Sequence, residues 1–135
     1  MSALSRDRAT PYREGIEVEY PVEANIKIYA GSLVCVNTAG YAAPAADTSG
    51  YRFAGVAMEQ VDNSGGSDGA TNVRLRRAGV FEFDAVSITQ DMVGAPMYAA
   101  DDHTFDDAAG PTNGIKVGLL VKYVSATKGW IDIAR

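Results

Sequence analysis

Few residues in this chain have the chemistry for catalysis or metal binding. It has one histidine, His103, and one cysteine, Cys35. A nucleophile–histidine couple would have to form around His103, in what reads as a hairpin turn. Cys35 lies among Leu33, Val34 and Val36 and reads as a small buried hydrophobe, with no second cysteine to pair with. The densest polar cluster is Asp101, Asp102, His103, Asp106 and Asp107. A divalent cation wants several carboxylate oxygens, but the spacing matches no calcium loop and Phe105 interrupts it as a strand residue. The competing reading is a solvated hairpin tip whose aspartates bond their own backbone. Gly65-Gly66 lacks the strand-to-helix setting of a phosphate cradle. No catalytic residue, metal or cofactor is expected, and the chain reads as a non-enzyme.

Two groups suit partner binding better. Arg74 and Arg76, beside Arg77, share one face of a strand and suit a carboxylate-bearing partner. The alternative is a solvated face that protects an edge strand. The first fifteen residues have no periodicity and are broken by Pro11 and Gly15. They read as an extended arm at 1–15, ahead of a domain at 16–135. Arg6, Arg8 and Arg13 supply its cations, and Leu4 and Tyr12 its apolar anchors. Such a segment is either a loose terminus or one that orders on a neighbouring subunit.

The elements that would position these groups are strands. Ile16, Val18 and Tyr20 alternate with Glu17 and Glu19, and Ile26 and Ile28 flank Lys27. Ser32–Asn37 reads as a strand. Residues 38–51 read as a loop with room for a short strand at Gly40-Tyr41-Ala42. Phe53–Val61 reads as one strand, and Asp62–Gly69 as a surface loop. Val73, Leu75, Phe81 and Phe83 share a parity broken at Arg77-Ala78-Gly79, a bulge or a bend between two sheets. Ser87–Val93 suits one helical turn. Pro96–Ala99 and His103–Phe105 form a hairpin around Ala100-Asp101-Asp102. Ile115, Val117, Leu119, Val121 and Tyr123 alternate most regularly, and Trp130–Ile133 closes the chain. Eight to ten short strands of this kind predict an all-β fold, a single-domain antiparallel β-barrel or jelly-roll-like sandwich. The expected core is Val73, Leu75, Phe81, Phe83, Val117, Leu119, Val121 and Ile131.

The chain has 135 residues, 47% apolar and 21% charged, with a net charge of −5. That length suits one core, and the acidic balance argues against a nucleic-acid footprint. No run approaches the roughly 18 apolar residues of a membrane span, and the N-terminus lacks a signal-peptide core. Synthesis in the cytoplasm, with neither nucleic acid nor membrane as partner, is expected.

Several segments carry a resemblance. Gly94–Phe105, with its Met97-Tyr98 strand and double-aspartate turn, is similar to a recurring hairpin of phage head decoration (capsid cement) proteins. Asn113–Gly118, Gly129–Ile133, Phe53–Ala57 and Arg76–Phe81 also resemble segments of that family, in order from about Val22 to Ile133. The Asp62–Gly69 loop and the arm before Tyr12 do not match it. The resemblance implies a small β-barrel or jelly roll, assembled as a homodimer or homotrimer, that stabilises the major capsid protein lattice from the virion's exterior. It brings no catalytic residue. The alternatives are a carbohydrate- or ligand-binding β-module using Trp130 and tyrosines as a stacking platform, or a tail or head-completion component.

Overall fold

The computed structural model describes residues 2–11 and 15–134. Twelve strands and one short 3₁₀ turn make up the regular structure among them: β1 (Glu17–Pro21), β2 (Lys27–Ile28), β3 (Leu33–Val36), β4 (Ala42–Pro44), β5 (Arg52–Ala57), β6 (Val61–Asp62), β7 (Asn72–Arg76), β8 (Val80–Ala85), the turn Gln90–Met92, then β9 (Pro96–Ala99), β10 (Thr104–Asp106), β11 (Lys116–Ser125) and β12 (Lys128–Asp132). The chain is all-β. The first half forms an open sheet in the order β1-β7-β5-β3-β4, the second half a closed five-stranded barrel, β10-β8-β12-β11-β9, and β2 pairs with β6 as a small cap.

The pattern of apolar residues explains this layering. β3 is apolar throughout because both its faces are covered. Leu33 and Cys35 join the barrel core with Phe83, Ile88, Met97, Phe105, Val117, Leu120 and Ile131. Val34 joins a second core on the other side, with Val22, Ile28, Val61, Val73 and Leu75. β7 alternates cleanly, with Val73 and Leu75 buried and Asn72, Arg74 and Arg76 exposed, as a strand with one wet face should. The break at Arg77-Ala78-Gly79 is where the chain leaves the open sheet for the barrel. Gly79 has φ 128°, and its α-carbon faces the Phe81 ring, where an added Cβ would lie 3.1 Å away.

Several expectations need correction. Phe53–Val61 is two strands, β5 and β6, in different sheets. Of the expected core, Val73, Leu75, Phe83, Val117 and Ile131 are buried, whereas Phe81 and Leu119 are only partly so and Val121 is 42% exposed. Leu120 takes the inward position. The reason is irregular register in β11: it shifts against β9 between Lys116 and Gly118, and against β12 between Leu120 and Lys122 and again between Tyr123 and Ser125. Each extra residue reverses the parity that follows.

Candidate interaction surfaces

Ser2–Pro11 is exposed at every position, with Leu4 at 74%. The arm's hydrogen bonds are local: the Thr10 N–H donates to the Arg8 carbonyl at 3.0 Å, and the Arg8 guanidinium to the Thr10 hydroxyl at 3.3 Å. Arg6, Arg8 and Leu4 therefore face solvent. Tyr12 and Arg13 lie outside the described residues.

Arg74 and Arg76 project from β7 on one side, as the alternation requires. The structure adds carboxylates to that face. β1 pairs with β7 so that Glu19 is opposite Arg74 and Glu17 opposite Arg76, and Arg74 also reaches Glu59 at 3.5 Å. Exposed pairs of this kind contribute little to stability, but they offset the charge locally. The open sheet's edges are β1 and β4, so the arginines do not sit on an edge strand. The arm is an exposed chain segment, whereas the β7 arginines lie on a mixed-charge strand surface.

His103 acquires a partner that is distant in sequence. β10 runs parallel to β8 with Thr104 opposite Asp84, which brings the Asp84 carboxylate to 3.0 Å from His103 Nδ1. Asp101 lies 3.5 Å from Nε2 and accepts the His103 backbone N–H at 2.9 Å. The hydrogen bond to Asp84 is the main cause raising the His103 pKa above its ordinary 6.5, with Asp101 and Asp102 adding to it and partial burial opposing it. The Thr104 hydroxyl is 3.1 Å from the same Nδ1. At Nδ1 the Thr104 hydroxyl therefore competes with the slightly nearer Asp84 carboxylate, while Asp101 stands at the other ring nitrogen. Asp101, Asp102 and His103 could each offer a ligand atom within 4.8 Å of the others. Asp101 already serves the turn's own backbone, and Asp107 does the same for the Ala109 N–H at 3.0 Å. Backbone bonding therefore accounts for these two carboxylates.

The His103 contribution has a definite sign. A raised pKa means that the charged ring stabilises the folded turn below pH about 6.5, and this contribution fades as pH rises through the folded value. By NMR titration, His103 should titrate above 6.5, and Asp84→Asn should bring it back down. A His103 that titrates at or below 6.5 in the wild-type chain would contradict the ion pair.

Comparison of the chain with protein-family models, curated proteins and solved structures gives no match.

Two further groups bear on reactivity and loop order. Cys35 is fully buried, and loss of hydration pushes its thiol up to about 12, slightly offset by a hydrogen bond with the Ala46 backbone. It stays a neutral core residue at physiological pH. Asp47 clamps two loops together. It accepts the Thr112 and Asn113 backbone N–H groups, both at 2.8 Å, and these bonds hold its carboxyl below the ordinary 3.8.

The outer wall of the barrel carries a group of residues that sequence reasoning missed. Register places Trp130 of β12 directly between Glu82 of β8 and Lys122 of β11. Beside them, Val80 and Val121 are 48% and 42% exposed. Glu82 and Lys122 are 40 residues apart in a chain whose strand order is visible only after folding. Trp130 thus has a charged neighbour on each adjacent strand, one acidic and one basic.

Proposed function

We propose that the chain is a virion structural protein that decorates the outer surface of a phage capsid and stabilises the lattice of the major capsid protein. The observation that carries this reading is the arm: a polar segment bearing Arg6 and Arg8 around Asp7, exposed along its whole described length, attached to an all-β acidic body. The ordered series of family-like segments in the sequence supports the same reading. A segment that lies free on its own body gains its buried area on a neighbour. Leu4 then supplies an apolar anchor, and Arg6 and Arg8 pair with carboxylates of the capsid subunit.

The body supplies rigidity and the arm supplies grip. A cement protein acts in many copies on one shell, so a modest contact per copy suffices. The net charge of −5 keeps the protein away from packaged nucleic acid and suits the shell's exterior.

The test compares the full chain with one beginning at Ile16. Every residue of Ser2–Pro11 is exposed, so the melting temperature should stay nearly unchanged. Occupancy on undecorated capsids should fall strongly. Wild-type binding should also weaken with added salt, since exposed ion pairs are screened beyond about 8 Å at physiological ionic strength. Equal occupancy of the two chains would overturn the arm's role. A large loss of melting temperature would place the arm in the fold instead.

A further inference from the structure

The geometry points to a self-complementary two-fold interface on the outer wall of the barrel, with a second copy of this chain as its occupant. It is independent of the capsid reading and rests on the register of three adjacent strands. Trp130 stands opposite Glu82 on one side and opposite Lys122 on the other. Directly opposite residues on neighbouring strands share a face of the sheet. The three therefore form one row across the wall, about 10 Å long at a strand spacing of about 4.8 Å. The row reads negative, apolar, positive.

Such a row matches itself under one symmetry operation. A two-fold axis lying between two copies and parallel to β12 places Trp130 on its partner counterpart. It carries each Glu82 over the other copy's Lys122. The alternative axis, perpendicular to the strands, would set Glu82 on Glu82 and Lys122 on Lys122. Charge complementarity therefore selects both the partner and the orientation, as expected for an isologous contact.

The remaining groups fit. Among the described residues neither Glu82 nor Lys122 has an ion pair within the chain, so both charges are available. Val80 and Val121 flank the row and are 48% and 42% exposed. Leu119, partly buried, stands opposite Asp132 beside them. Val121 is exposed because it is the extra residue where β11 slips against β12. The bulge that spoils the strand's alternation thus adds an apolar side chain to the outer wall. A convex barrel touches its copy mainly along a central strip, which makes Trp130 the centre and the two charge pairs its rim.

Sedimentation equilibrium of the full chain and its charge variants tests this. The wild type should show a monomer–dimer equilibrium. Glu82→Lys and Lys122→Glu should each weaken the dimer by at least about tenfold, because each places like charges together twice per dimer. Mixing the two single variants in equal amounts should restore the dimer, since every contact then pairs a lysine with a glutamate. The double variant E82K/K122E should also dimerise, and circular dichroism should confirm that all four chains fold. A wild type that stays monomeric at several hundred micromolar would overturn the proposal and leave the wall free for another partner. A trimer in place of a dimer would overturn it too. So would single variants that dimerise normally, or a mixture that fails to recover.

Discussion

Replacing Leu120 by alanine is expected to cost about 2–5 kcal/mol of stability, while the same change at Leu119 costs below about 1 kcal/mol. The two leucines are chain neighbours with opposite surroundings. Leu120 is fully buried, stands opposite Ile131, and lies in the barrel core with Phe105 and Met97. Removing its side chain leaves a void that a closed barrel cannot easily collapse around. Leu119 faces outward, opposite Asp132 and Pro96. Denaturant titration at low protein concentration, where self-association is negligible, measures both. Equal losses, or a larger loss at Leu119, would mean that the slip in β11 is not present.

A second large effect is expected at Gly118. Its α-carbon packs against the backbone of β12, and a side chain there would overlap the Asp132 carbonyl oxygen and crowd the Ile133 Cα at 3.2 Å. Both are backbone atoms, so nothing yields without moving the strand. Gly118→Val should cost about 1–3 kcal/mol from overpacking alone, with further loss from weakened pairing of β11 and β12. Gly114→Ala is a useful contrast for space alone, since an added Cβ there meets nothing within 4 Å. Its φ of 62° still costs about 1 kcal/mol. A near-neutral Gly118→Val would contradict the close approach of the strands.

The parts of the fold legible in the sequence are those where alternation runs uninterrupted. Val73 and Leu75 against Asn72, Arg74 and Arg76 gave the correct inward face, and the phase break at Arg77–Gly79 marked the passage from sheet to barrel. The hairpin of β9 and β10 was equally visible. β11 was misread for a physical reason. Ile115, Val117, Leu119, Val121 and Tyr123 share one parity, but Leu120 and Val124 break it beside the two slips against β12, and Gly118 stands at the slip against β9. The β2–β6 cap was hidden because each of its strands has only two residues.

Site residues divide in the same way. Asp101, Asp102 and His103 are neighbours in sequence and were recognised as a cluster. Asp84 joins them only through the parallel pairing of β8 with β10, a contact that no local pattern encodes. The glutamates facing Arg74 and Arg76 were likewise present in the sequence as an unassigned alternation of β1. The row of Glu82, Trp130 and Lys122 depends on the register of three strands at once.

The most direct test of the decoration reading is a cryo-electron microscopy reconstruction of the virion encoded by the same genome. Density for the five-stranded barrel is expected on the outer surface of the head, with Ser2–Pro11 ordered against a major capsid subunit. Purified particles that lack the chain, or a barrel on the inner face of the shell, would contradict it.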